Sequence, residues 1–306
     1  MNQETKTGIL YALGAYFLWG FLPIYWKLLG DIPPDEILAH RILWSFVFMG
    51  LIVLAAGKWK PFIHELNSII RNRKQLAGIT LASLVISLNW LIFIWAVNND
   101  HVIQSSLGYY INPLVSILFG MIILNESLTR RQLFSFLLAG IGVINLTVSY
   151  GVFPWVSLLL AFSFAIYGLL KKTVRISAMF GLTIETMIVT PAALIYLIFI
   201  PDSSLRPEVM FSDSGLLLFG AGVATAVPLL LFAAGAKQIP LSMVGFLQYI
   251  APTIMLILGV FVFGEAFSSA HLLSFALIWA ALIIYMASAY RKNTNKKKKS
   301  EKILDG

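Results

Sequence analysis

Ten apolar stretches, separated by short polar breaks, run along the chain: roughly 8–29, 35–56, 76–97, 102–124, 132–150, 152–170, 178–200, 214–235, 241–263 and 268–290. A helix needs ~20 mostly apolar residues to cross ~30 Å of hydrocarbon. Each stretch is therefore predicted to span a membrane once. Strands are not expected, because the runs are long and lack the alternation of an outer-membrane barrel. Backbone groups in lipid must also be satisfied within their own segment, which favours helices. The first stretch exceeds a signal-peptide core, contains Trp19, Pro23 and Trp26, and has no small-residue cleavage site after it. It is read as a retained helix.

Composition sharpens this picture. Of 306 residues, 59% are hydrophobic and 12% charged, against ~45–50% and about 25% in soluble domains. That excludes a disordered chain, a coiled coil and most soluble enzymes. The chain has no cysteine, so disulfides, thiolate catalysis and Cys-ligated metals are out. A net charge of +8 would suggest nucleic acid in a soluble protein, but its placement reads as topology. With the N-terminus inside, every Lys and Arg except Lys27, Arg41 and Arg206 falls in an inside segment. The positive-inside rule then puts both termini in the cytoplasm. Lys296–Lys299 are expected to be disordered and to attract anionic lipid headgroups. No aromatic or fold context points the tail toward nucleic acid.

The chain repeats itself. Residues 110–136 lie on 249–275 without a gap, matching Tyr110/Tyr249, Ile111/Ile250, Pro113/Pro252, Gly120/Gly259, Glu126/Glu265, Leu133/Leu272, Ser135/Ser274 and Phe136/Phe275. The expected organisation is an N-terminal segment 1–7, a first repeat 8–150, a second repeat 151–290 and a polybasic tail 291–306. Five helices per repeat is an odd number, so the second repeat must be inverted. The charges agree: loop 125–131 carries Arg130 and Arg131, whereas 264–270 carries no Lys or Arg. The predicted fold is an all-α polytopic membrane protein of ten helices in two inverted five-helix repeats. Such symmetry suits alternating access around a midplane site.

Ionisable groups inside lipid are costly and need a partner, water or a function. Glu185 in the seventh helix, and Arg41 with His40 beside it in the second, are the candidates. Burial penalises an ionised carboxyl, so Glu185 is a candidate for proton coupling. The structural alternative is a protonated Glu hydrogen-bonded to a neighbouring helix. Arg41 would hold an anionic or carbonyl group of a solute, or a helix C-terminus. Helix arithmetic leaves on the order of 10 Å of depth between Arg41 and Glu185, so direct pairing is not the default. Lys27 is explained by snorkelling.

Neutral candidates for a solute cavity are Trp19, Asn89, Trp90, Tyr109, Tyr110, Asn112, Tyr167, Gln248 and Tyr249. Amphipathic aromatics with Asn and Gln at one depth suit a flat, partly polar solute; core packing explains each one singly. Pro113 and Pro252 hold equivalent mid-helix positions, where a proline frees a carbonyl and kinks the helix. Glu126 and Glu265 are expected to cap the helices that follow them. Gly140, Gly142 and the Ala-rich tenth helix suit close helix contacts or a homodimer face.

Nothing in the chain reads as a catalytic motif. The four His are scattered, so no metal site is expected, and no cofactor is implied. The competing class, an intramembrane enzyme acting on lipid or a lipid-linked sugar, would want converging acids and bases near one face.

Four stretches carry a family resemblance: "LWGFLPIYWKLL" at 18–29, "EILAHRILWS" at 36–45, "LNWLIFIWAVNNDHVIQSSLGYYINPL" at 88–114 and "VPLLLFAAGAKQIPLSMVGFLQYIAPT" at 227–253. The chain resembles the drug/metabolite transporter superfamily, specifically EamA-domain permeases of the RarD type, the chloramphenicol-sensitive protein group. The resemblance implies ten helices, two EamA repeats, cytoplasmic termini and transport of small organic solutes, with export expected. It does not choose a solute.

Overall fold

The structure is a computed structural model, described for residues 3–29, 32–98, 102–151, 153–201, 203–262, 264 and 267–304. Among the described residues every regular element is a helix. The first repeat comprises α1 (Gln3–Lys27), α2 (Pro34–Ala55), α3 (Trp59–Arg71), α4 (Arg73–Asn98), α5 (Val102–Ile122) and α6 (Arg130–Tyr150). The second comprises α7 (Trp155–Thr173), α8 (Ala178–Phe199), α9 (Pro207–Met210), α10 (Asp213–Gln238), α11 (Leu241–Gln248), α12 (Ile250–Phe261) and α13 (Ser269–Leu304). Nine spans among the described residues are long and apolar enough to cross a membrane, with α11 and α12 counting as one. The shorter apolar run Leu107–Ile122 within α5 supplies the tenth.

Hydrogen bonds across the bundle show the inversion directly. Thr129, the N-cap of α6, meets Ser288 near the end of the α13 span at 2.9 Å. At the other end of α6, Asn145 Nδ2 donates to Ser274 Oγ at 2.9 Å and to the Ala270 carbonyl at 3.3 Å. The fifth spanning helix of each repeat, α6 or α13, therefore runs antiparallel to its counterpart. Exchanging the repeats also exchanges packed pairs. The contact of α1 with α10 has its mate in α7 with α4, and α5 with α7 has its mate in α11–α12 with α1.

Both chain ends lie on one face of the bundle, hereafter the terminal face. Gly8 of α1 abuts Gln238 and Ile239 at the end of α10, and Tyr285 of α13 bonds Ser242 of α11.

Four expectations are corrected. First, 57–75 is not a plain loop. It forms α3, whose buried Phe62 and Ile69 pack against Val53, Ile79 and Ile184 while Trp59, Ile63 and Ile70 stay exposed. Its 13 residues are too few to span a bilayer but enough for an amphipathic helix lying along its surface. Second, α13 continues to Leu304, so the polybasic tail is helical through that residue rather than disordered. Third, Glu126 does not cap the helix that follows it. Thr129 and Gln132 form a capping box there, while the Glu126 carboxylate accepts from the Leu241 and Ser242 amides at 2.6 and 2.9 Å. It thus caps α11 in the other repeat. Glu265 lies outside the described residues. Fourth, the paired prolines act unequally. Pro252 follows the break between α11 and α12 at Tyr249, where its missing N–H frees the Gln248 carbonyl, whereas Pro113 lies inside an unbroken α5.

Candidate functional site

Where α2, α4, α7, α8 and α10 converge, a cavity of about 20 Å³ remains, room for about one water. Hydroxyl-bearing residues from all five helices line it: Ser45 from α2, Ser83 and Ser87 from α4, Tyr167 from α7, Thr186 from α8 and Thr225 from α10. Ser87 Oγ is buried with no hydrogen-bond partner. Trp90 forms the roof, with Arg41 packed against its ring, and Tyr167 and Glu185 form the floor.

Arg41 and Glu185 occupy matching positions, each seven residues past the first residue of α2 and α8. Because the helices run oppositely, each charge lies roughly 10 Å from its own face of the bundle. They do not pair. Arg41 Nε donates to Thr225 Oγ1 at 2.9 Å. Its guanidinium carbon lies 4.6 Å from the Trp26 ring centroid and 5.1 Å from that of Trp90. Tyr109 of α5 is within electrostatic reach and 38% exposed.

Glu185 has a partner that the sequence reading placed in an inside segment. Lys171 Nζ donates to Glu185 Oε1 at 2.8 Å, with both side chains about 95% buried. Tyr167 donates its hydroxyl to Oε2 at 3.2 Å. Lys171 and Tyr167 are one turn apart on α7, so a single helix face supplies both donors. The expectation that Arg41 and Glu185 were the only deep charges is therefore corrected.

Below the floor the aromatic rings pack into a plug. Trp19 contacts Tyr16, Phe164 and Phe232 at centroid distances of 5.6, 5.8 and 5.7 Å. Tyr167 stacks on Phe232 at 5.9 Å. Two lysines then staple the terminal face reciprocally. Lys172 at the end of α7 donates to the Ala236 and Ile239 carbonyls ending α10, at 3.2 and 2.5 Å. Lys237 near the end of α10 donates to the Val174 and Ile176 carbonyls just after α7. Cations suit helix C-termini, where unpaired carbonyls carry partial negative charge.

The opposite face carries its own latch. Glu36 accepts from both the backbone and the hydroxyl of Ser204, at 2.5 and 2.6 Å. His40 Nε2 lies 2.9 Å from Ser204 Oγ, and Trp44 Nε1 donates to His40 Nδ1 at 3.1 Å. The indole N–H fixes Nδ1 as an acceptor, so the ring proton sits on Nε2 and points at the serine. Ser204 in turn gives its own proton to Glu36. A histidine in that tautomer cannot take the serine's proton, so this Glu–Ser–His set is a clamp, not a nucleophile and base. His40 belongs to this clamp and not to the cavity.

Of the neutral candidates, Trp90 and Tyr167 line the cavity. Trp19 sits in the plug. Asn89 turns toward α7 and donates to the Leu160 carbonyl and Ser163 Oγ at 2.9 and 2.8 Å. Tyr110 packs edge-on against Phe275 of α13 at 5.3 Å. Asn112 accepts from Ser116 within α5. Gln248 and Tyr249 are buried at the α11–α12 break, away from the cavity, with Gln248 Oε1 and the Tyr249 hydroxyl unpartnered. Sequence reasoning missed Lys171, Thr225 and Trp26. The one available signal was the spacing of Tyr167 and Lys171.

Asn89→Leu is expected to cost about 1 kcal/mol of stability, the typical worth of one interhelical polar contact in a membrane protein. Thermal melting of the solubilised protein measures it, and an unchanged midpoint would remove Asn89 from the α4–α7 contact.

Two stretches, 6–148 and 154–287, match the EamA-like transporter family. The chain is 50% identical over 290 residues to the uncharacterized transporter YojE of Bacillus subtilis (strain 168), covering 94% of this chain and 96% of that protein. It is 44% identical over 288 residues to protein RarD of Escherichia coli (strain K12), covering 94% and 96%. It is 30% identical over 280 residues to the chloramphenicol-sensitive protein RarD of Pseudomonas aeruginosa, covering 90% and 92%. A solved crystal structure at 18% identity superposes with a TM-score of 0.72 over 92% of this chain and 98% of its own.

Proposed function

The chain belongs to the EamA-like transporter family, and from that premise we propose that it is a permease moving a small organic solute outward across the cytoplasmic membrane by alternating access. The antiparallel packing of α6 on α13 carries the reading. Two inverted copies of one unit have two mirror-related packings, each opening a shared cavity to one side. The polar cavity at the repeat interface, closed toward the terminal face by the aromatic plug and the lysine staples, supports it. So does the clustering of basic residues at the terminal face, which the positive-inside rule assigns to the cytoplasm. Glu185 is the proposed coupling carboxyl: a proton arriving there would dissolve the bond to Lys171.

The chain has no cysteine, so single introduced cysteines report sidedness cleanly. With an impermeant maleimide on intact cells, Glu208→Cys is expected to label and Lys60→Cys to label only after permeabilisation. Labelling of both from the same side overturns the topology. Ser87→Cys, in the cavity, is expected to react in proteoliposomes from either side, with the rate set by the imposed gradient. Reaction from one side alone under every gradient overturns alternating access.

A further inference from the structure

We infer that the solute is an organic anion, held by its carboxylate on the Arg41 guanidinium with its body against Trp26 and Trp90; this rests on the permease reading above. Arg41 lies inside the bundle, enclosed by α1 through Trp26, α4 through Trp90 and α10 through Thr225. A cation in that position calls for a counter-charge, and among the described residues no carboxylate pairs with it. Every nearby acid is already engaged. Glu185 is held by Lys171 and Tyr167, Glu36 by Ser204, and Asp35 by the Tyr196 hydroxyl at 2.5 Å. Lys171–Glu185 is the one ion pair among the described residues. Among the described residues these engaged acids offer no free carboxylate to a cationic solute.

The guanidinium is prepared for an oxyanion. Its Nε is tied to Thr225, which fixes the plane, and two indoles flank it. The Nη edge, with its paired N–H groups, makes no hydrogen bond among the described residues, where only Nε is engaged. That edge is the geometry that grips a carboxylate with two parallel hydrogen bonds. Trp90 and Thr225 are shared between Arg41 and the cavity lining, so a bound carboxylate would sit at the cavity roof and its apolar body would point into the space that opens.

The test uses full-length detergent-solubilised protein and three matched probe sets: aromatic carboxylates (benzoate, phenylacetate, indole-3-acetate), their neutral amides, and the corresponding amines. Binding is read by tryptophan fluorescence and thermal shift. At least one carboxylate is expected to bind about tenfold or more tighter than its amide, the scale of a lost charge-assisted bidentate contact. Arg41→Gln should abolish that preference. Arg41→Lys keeps the charge but not the fork, and should weaken carboxylate binding roughly tenfold. Failure of every carboxylate to bind, equal binding of acid and amide, or an unchanged preference in Arg41→Gln each overturns the inference. If Arg41→Gln does not fold, Arg41→Lys and Thr225→Val decide, and unchanged carboxylate affinity in both overturns it. Flux in proteoliposomes separates the two claims. A carboxylate that binds through Arg41 but is not moved defeats the permease reading alone. A neutral or cationic solute that is moved while carboxylates do not bind defeats the anion inference alone.

Discussion

Lys171→Met is expected to lower the stability of the solubilised protein by about 3–5 kcal/mol, the usual consequence of removing one partner from a buried ion pair. The Lys171 and Glu185 side chains are almost completely shielded, and their bond measures 2.8 Å. Deleting the ammonium leaves Glu185 with the Tyr167 hydroxyl alone, at 3.2 Å. Glu185→Leu should be comparably damaging, because it strands the lysine. The double variant Lys171→Met/Glu185→Leu should regain most of the loss, since replacing both ions with apolar groups removes the desolvation penalty along with the attraction. Melting midpoints of the four proteins form a double-mutant cycle. Singles as stable as the parent, or a double no better than the singles, would show that the two side chains do not pair. Transport gives a separate readout. A restored fold that no longer moves solute against a pH gradient would place the pair in the coupling step. A restored fold with normal coupled transport would make it architectural.

The fold was legible because hydrocarbon leaves the chain few choices. Ten apolar stretches, an odd number of helices per repeat and lopsided basic residues suffice to lay out two inverted halves. What escaped has a physical pattern. Helix α3 escapes a search for spanning segments because its apolar residues recur at helical spacing over a length too short to span. Lys171 was read as a loop cation because it sits beside Lys172 near a helix end; only the position of α8 reveals that one lysine turns into the core while the next reaches a carbonyl. Glu126 was assigned to its own sequence neighbour, whereas the inverted repeat brings α11 closer. Asn89 and Tyr110 lie at the right depth but on faces turned to α7 and α13. Depth follows from counting residues. The face a side chain presents follows from how the halves interlock, and periodicity is silent when nearly every position is apolar. Trp90 and Tyr167 line the cavity because depth and face coincide there; nothing in the sequence pattern marks Thr225 or Trp26.

How the halves interlock can be tested at one backbone contact. Gly222 of α10 lies so close to α2 that a Cβ placed there would be 2.4 Å from the Trp44 carbonyl carbon and 2.6 Å from the Ser45 nitrogen. These are backbone atoms of another helix and cannot rotate away. The Ser45 hydroxyl also donates to the Gly222 carbonyl at 2.9 Å, a bond that exists only while the helices touch. Gly222→Leu should therefore force α2 and α10 apart and cost roughly 3 kcal/mol or more, the upper range for overpacking a filled interface. Gly140→Leu is the matched control. Nothing lies within 4 Å of a Cβ at Gly140, so the same change should be tolerated within about 0.5 kcal/mol, as at most surface positions. Melting of both variants in detergent tests the pair, and a Gly222→Leu protein as stable as the control would mean that α2 and α10 do not meet there. The contact also bears on the working cycle. In the repeat, Gly222 corresponds to Ser83 on α4, a residue that lines the cavity, and the mate of the α2–α10 contact is the one between α8 and α4. One pair is thus pressed to backbone contact through glycine, while serine replaces that glycine in its mate beside the cavity. If the transport cycle exchanges the two packings, α2 and α10 must part as α8 and α4 close. Gly222→Ala, whose single methyl forces the two backbones apart by less than a leucine would, should then shift the Ser87→Cys cavity probe toward reagent arriving from the face opposite the termini. An accessibility unchanged from the parent would show that this contact is static through the cycle.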